Sequence, residues 1–355
     1  MAQKSNESHK TLTIRQCPDG AVLLNTTVLT LMEEIYIKRN PPLNLQPEDE
    51  MVFKDSYECR YKMSPILHLE NSFILQDTVF SPTHMSFYAS HTHVNSLGFL
   101  PLGKRVAHCM LKKWRKVPHG IWIKDEWSAD YLHWMTDCLP RLWIGLNTGI
   151  SDRVILNDSY RHLPYVSQSL EILKIKPTYY QSNENLYVED LVLTPRTSPF
   201  PNFNVELTQL SREKLSCKQP KEAFKKVFLS TKYAPKGKAL NEVDVELLMR
   251  KQGFEIVYAE KLSLKEQIFL MSETKTLVAL HGTGLTNMLF LPETSQVLEL
   301  RNQDSSNSLC YYNLANALGL DYYYTQNQGD TGNSDSEDMT VNLDALTQVI
   351  HQLKD

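Results

Sequence analysis

Apolar and polar positions divide the chain into regions of different period. Before residue 100 the apolar residues come in short β-like runs at 12–15, 21–24, 51–53 and 72–80, broken by Pro41-Pro42 and Pro82. From 127 to 147 the spacing is helical; a strand at 153–156, a helix at 166–173 and strands near 178 and at 187–193 follow. Residues 195–222, rich in Pro, Ser, Asn, Thr and Lys, read as a linker with a boundary near Pro195. Beyond it the alternation is regular. Strands at 226–230, 255–258, 276–280, 296–300 and 322–325 are separated by helices at 241–252, 263–272, 284–290 and 309–318, a spacing that predicts a doubly wound parallel sheet. Asn241 with Asp244 marks a helix start and Gly253 a helix end. An acidic loop at 329–338 leads to a closing helix at 344–353.

The pattern is therefore α/β in two units, and 355 residues exceed what one core usually holds. The expected division is a β-rich segment 1–100 that belongs with an α/β unit 101–195, then a doubly wound unit 196–330 and a tail 331–355.

Composition narrows the function classes. With 42% hydrophobic and 22% charged residues and a net charge of −4, the chain reads as an ordinary soluble protein with no overall case for nucleic-acid binding. Residues 1–10 are polar and lack the apolar core of a secretory signal, and six scattered cysteines without a Cys-x-x-Cys pair read as reduced thiols. Both point to a cytoplasmic protein. The basic stretch 104–116, interleaved with Leu111, Trp114 and Val117, suits either a solvated face or a peripheral contact with the inner face of an anionic membrane. His91 and His93 lack partners for a metal set, and no metal is expected.

Candidate chemistry gathers in two places. A strand runs straight into His281-Gly282-Thr283-Gly284, with Asn287 in the helix that follows. Glycines at a strand-to-helix turn admit a ligand close to the backbone, and the helix start offers N–H groups to an anion such as a diphosphate. A plain tight turn with positive φ is the competing reading. Glu299, at the end of the neighbouring strand, suits a pair of ribose hydroxyls or a salt bridge with Arg301 or Lys275. The loop after the first strand of this unit brings Lys232 and Lys238, cations suited to a departing diphosphate. The second place is the helix at 127–147, where Asp130, His133, Asp137 and Arg141 share an arc on an otherwise apolar surface. His133 and Asp137, four residues apart, can touch, and either could serve as a base; Asp130 and Arg141 would face an acceptor. Pro140 is expected to kink this helix just beyond Asp137.

Two stretches together resemble the family-61 glycosyltransferases, which include bacterial polysaccharide enzymes, plant xylan xylosyltransferases and eukaryotic protein O-GlcNAc-type transferases. One is Tyr131-Leu132-His133-Trp134 with Asp137 and Leu139-Pro140-Arg141; the other runs from Phe228-Leu229-Ser230 through His281-Gly282-Thr283-Gly284-Leu285-Thr286-Asn287 to Val297-Leu298-Glu299-Leu300. The resemblance implies a GT-B arrangement of two Rossmann-like domains with a β-rich N-terminal extension. It also implies an N-terminal acceptor side, a C-terminal donor side and inverting, metal-independent transfer with no cofactor. The implied donor is a nucleotide sugar, a UDP-sugar carrying a GlcNAc- or xylose-like group. The implied acceptor is a hydroxyl of a glycan, lipid-linked glycan or protein. Two positions depart from the family pattern: Thr231 stands where Arg is frequent, and Thr283 where Ala is usual. A nucleotide-sugar epimerase and a non-catalytic nucleotide-binding protein on the same fold remain alternatives.

Overall fold

The computed structural model describes residues 26–28, 34–95, 99–216, 223–303, 309–330 and 338–354. The strands expected at 12–15 and 21–24, and residues 331–337 of the acidic loop, lie outside them.

The first of two large sheets has the spatial order Ser86–Phe87, Thr78–Ser81, Leu67–Leu75, Glu184–Leu193, Lys113–Trp122, Arg153–Asn157, Lys176–Tyr180, and Thr26–Val28 also pairs with Leu67–Leu75. The last four strands of that order are mutually parallel, and the others pair antiparallel, so the sheet is mixed. The run expected at 72–80 is a hairpin whose turn uses Gln76 at φ 58°.

The second sheet is the doubly wound one. Its order is Glu255–Val257, Lys225–Leu229, Thr274–Leu280, Gln296–Asn302, Asp321–Gly329, all parallel, with Met339–Thr340 added antiparallel at the edge. In chain order this is 2-1-3-4-5, so the winding direction reverses between Lys225–Leu229 and Thr274–Leu280. The carboxyl ends of those two strands are where open α/β sheets bind ligands. Alternate side chains explain why both faces are covered: Val227, Leu277, Ala279 and Val297 join one apolar cluster, while Phe228, Val278, Leu280 and Leu298 join another with Val245 and Met249 of Glu242–Lys251. The first of these clusters continues into the other sheet through Ile121, Leu139, Leu142 and Val154.

Four elements differ from the expected pattern. Residues 51–53 are not a strand but lie in the helical turn Glu50–Phe53, because Pro47 with Glu48, Asp49 and Glu50 is a helix-starting sequence. Phe53 is wholly buried against the rings of Tyr312, Tyr322 and Tyr324, and Asn44 bonds the Tyr324 backbone at both ends, so this segment rides on the second sheet. The presumed linker contains the helix Val205–Leu215, capped by Asn204, with Thr208, Ser211 and Arg212 buried on it. His91 and His93, which as alternate residues suggest a strand, lie instead in and at the end of the short helix Ala89–Thr92, with His93 facing Asp77. Asn241 stands at the N-cap position of Glu242–Lys251 as expected, but its side chain bonds Val341 rather than the helix start, and Gly253 takes φ 80° at the helix end.

The basic stretch folds as the helix Phe99–Cys109 followed by Lys113–Trp122. Among the described residues no helix is long and apolar enough to cross a membrane, and the four described cysteines are free thiols.

Candidate active site

The helix read at 127–147 begins later and is not uniform. Asp130 is its N-cap, its carboxylate accepting from the Leu132 and His133 N–H groups, so Asp130 anchors the helix start as well as bordering the pocket. Tyr131–His133 is α-helical, Trp134–Cys138 is a π-helical turn and Leu139–Leu146 is α-helical again. Pro140 has no N–H to continue the ladder, and the backbone widens on its N-terminal side, around Asp137.

The widened turn sets the first half-site. His133 Nδ1 lies 2.6 Å from Asp137 Oδ2, and the same oxygen accepts from Arg196 Nη1 at 3.1 Å. A carboxylate only accepts, so the proton between His133 and Asp137 belongs to Nδ1, and in the neutral imidazole Nε2 is the nitrogen that carries the lone pair. No described group hydrogen-bonds Nε2. The imidazole stands between the rings of Trp127 and Phe200, 5.0 and 5.2 Å away, in an open pocket of about 410 Å³ lined by Glu126, Trp127, Asp130, His133 and Phe200.

Arg141 is not in that pocket, contrary to the acceptor-facing role expected of it. It is fully buried, with Nη1 3.0 Å from Asp125 Oδ2 and Nη2 donating to the carbonyls of His91 and Thr194, both at 2.7 Å. Asp130 and His133 of the charged stripe line a pocket, whereas Asp137 and Arg141 belong to an internal ion network in which Asp125 and Arg196, contributed by segments on either side of the helix, supply the counter-charges. Burial alone would raise the Asp125 carboxyl; Arg141 and Arg196 outweigh it and hold it below its ordinary value. Neither Asp125 nor Arg196 belongs to the helical stripe, and neither shows a signal of its own in the sequence.

The second half-site is the glycine-rich turn. Thr283–Phe290 is a 3₁₀ helix rather than an α-helix, and its first internal bond runs from Leu285 N to Gly282 O, which leaves the N–H groups of Thr283 and Gly284 ahead of it. Gly282 is extended, with φ 161°, and Gly284 is not among the glycines of positive φ. The tight-turn reading therefore fails at both. A methyl at Gly282 would meet nothing nearer than its own Leu280 carbonyl at 4.0 Å, and one at Gly284 only Leu229 Cδ1 at 3.6 Å.

Glu299 is fully buried, and the chain's own groups take both of its oxygens in place of the expected ribose. Oε1 bonds His281 Nδ1 and lies 3.5 Å from Arg301 Nη1, and Oε2 accepts from the Tyr322 hydroxyl at 2.6 Å. Burial would raise this carboxyl; Arg301, His281 and Tyr322 together bring it below its ordinary value. Glu299 thus orients His281, whose ring meets Tyr311 edge-on at 5.0 Å. Asn287 is also buried, its amide oxygen accepting from the Tyr131 hydroxyl at 2.9 Å, so it is a strut between the two half-sites. Through that bond the start of the His133 helix rests directly on the glycine-rich turn.

Lys232 follows Lys225–Leu229 at the winding reversal, whereas Lys238, at the far end of the same loop, is bonded through its backbone to Asp338 and Met339 beside the edge strand Met339–Thr340. Neither is ion-paired among the described residues. Thr231, the departure from the family pattern, is fastened to Glu242 by its N–H at 3.0 Å and by its hydroxyl. Thr283 is exposed at the mouth of the turn.

Residues 131–298 match the family model Glycosyltransferase 61. This stretch, just under half of the chain, is similar to the glycosyltransferase 61 family. It starts at Tyr131, two residues before His133, and takes in the whole glycine-rich turn, so the family resemblance read from those motifs is borne out. Among curated proteins the chain is similar to the EGF domain-specific O-linked N-acetylglucosamine transferases of Drosophila melanogaster and Rattus norvegicus. It is 32% identical to the first over 32% of this chain and 31% identical to the second over 33% of it. That of Xenopus laevis is 36% identical over 19% of this chain and 13% of its own. The matches span 22% of the fly and rat proteins.

Proposed function

We propose that the region similar to glycosyltransferase 61 transfers a sugar from a nucleotide diphosphate donor to an acceptor hydroxyl with inversion. The observation that carries the donor side is the pair Gly282 and Gly284 at the winding reversal: neither backbone conformation nor internal packing requires glycine at either position, so the small residues serve something that approaches from outside. A diphosphate there meets the N–H groups of Thr283 and Gly284 and the cations of Lys232 and Lys238. UDP is the nucleotide this reading favours, and the names of the relatives favour N-acetylglucosamine and a protein hydroxyl.

In the transfer step the acceptor oxygen attacks the anomeric carbon and its proton passes to His133 Nε2. The bond from that carbon to the diphosphate oxygen breaks, and the leaving group carries the electron pair to the helix start and the lysines. Trp127 and Phe200 offer apolar walls to the acceptor.

Gly282→Ala and Gly284→Ala are expected to keep the wild-type melting temperature while weakening UDP and UDP-N-acetylglucosamine binding by about tenfold or more, measured by calorimetry. Wild-type affinity in both variants, or no binding of either nucleotide by the unmodified protein, would overturn the donor reading.

A peripheral membrane contact has its own support. Leu100, Met110, Leu111 and Trp114 stand exposed around Phe99–Cys109, Leu111 at 96%, next to Lys104, Lys112 and Lys113. Apolar tips among cations suit an anionic bilayer surface, with each lysine contributing about 1 kcal/mol. The protein should sediment with phosphatidylserine-containing vesicles and not with pure phosphatidylcholine, and a Lys104→Glu/Lys112→Glu/Leu111→Ser variant should stay in solution. Equal recovery with both vesicle types would discard the contact.

A further inference from the structure

We infer that Arg196 is a positioning residue for the proton transfer, the clamp that fixes Asp137 and through it the imidazole of His133. Its guanidinium spans two buried carboxylates. Nε and Nη2 take Asp125 Oδ2 and Oδ1 at 2.9 and 3.1 Å, the paired geometry in which a fork of donors is rigid, and Nη1 reaches Asp137 Oδ2 at 3.1 Å. The plane is backed by Trp127, whose ring centre lies 4.7 Å from the guanidinium carbon, and the same Trp127 forms one wall beside His133. Asp125 is in turn locked by Arg141 and by the Trp127 N–H.

Without Arg196, Asp137 would hold only the His133 bond, on a π-helical turn whose backbone ladder is widened there. With it, one oxygen of Asp137 is pinned from two sides, and the direction of the His133 Nδ1–H bond, hence of the Nε2 lone pair, is set. The charged groups around the imidazole are Asp137 and Asp130 from its own helix, Glu126 from the preceding loop and Arg196 from the segment after Glu184–Leu193. Arg196 is the cation among them, so it also offsets the negative charge that would otherwise surround the base.

The inference rests on the transfer reading for its kinetic consequence only; its structural consequence can be read without any substrate. In protein labelled with ¹⁵N-histidine, the Nδ1 proton of His133, assigned by its loss in His133→Asn, should be protected from exchange. In Arg196→Gln it should broaden beyond detection while the remaining histidine signals stay in place. In the transfer assay the same variant should lose about 10–100-fold in kcat with the donor KM unchanged, as expected of a base held in the wrong orientation. Arg196→Lys keeps a charge but cannot bridge both carboxylates, so it should fall between the two on both readouts, and it carries the test if the Gln variant does not fold. A protected Nδ1 proton and wild-type kcat in a folded variant would overturn the inference. Loss of the proton signal in a protein that shows no transferase activity in any form would instead leave the clamp standing and remove the transfer reading.

Discussion

Replacing His133 by alanine should lower kcat by about 10²–10⁴-fold, the range for loss of a general base, and leave donor affinity unchanged. The expectation follows from how the two members of the pair are placed. Asp137 is 3% exposed and its Oδ2 is shared by His133 and Arg196, so that oxygen is already engaged in holding the pair. His133 keeps Nε2 unbonded and borders the 410 Å³ pocket. Asp137→Asn should also slow the reaction severely, because an amide can turn its N–H toward the imidazole and reverse which ring nitrogen holds the proton. The pair of variants separates the two candidate bases that spacing alone left equal. Single-turnover assays with saturating donor measure it; turnover at the wild-type rate in His133→Ala would remove His133 from the chemistry.

What was legible in the chain, and what was not, follows the reach of each signal. The second sheet was read nearly strand for strand, because its strands alternate with helices at short spacing and both faces are buried, so a strand carries consecutive apolar residues such as Leu277 to Leu280. The contact between His133 and Asp137 was equally readable, since it lies within one helical turn. Its surroundings were not. Whether a charged stripe faces water or an ion pair depends on segments distant in sequence, here Asp125 and Arg196, which lie 16 and 55 positions from Arg141. Glu299 shows the same limit from the other side: its burial and the pairing with Arg301 were readable from neighbouring positions, but the bonds from His281 and Tyr322 that complete its surroundings were not. Residues 51–53 were misread because three apolar-looking positions are too short for period alone to decide, and the Pro and acidic residues just before them carried the information.

Arg141→Met should destabilise the fold by about 3–5 kcal/mol in urea titration, more than any surface charge would. Methionine matches the length of the side chain but takes away four donor contacts: one to Asp125, two to the carbonyls of His91 and Thr194 and one to the Thr194 hydroxyl. Those carbonyls lose partners in a region without access to water, and Asp125 keeps Arg196 as its remaining counter-charge. The pH dependence gives the sign independently. In the native protein the Asp125 carboxyl sits below its ordinary value, so it contributes stability that is present above the unfolded carboxylate range and lost as pH falls through the folded value. Without Arg141 the burial that raises this carboxyl is opposed by Arg196 and the Trp127 N–H without their strongest ally, the folded value moves up, and acid unfolding should begin at higher pH than in the wild type. An acceptor-facing arginine would do neither: its loss would raise the acceptor KM and leave both the urea midpoint and the acid transition where they were.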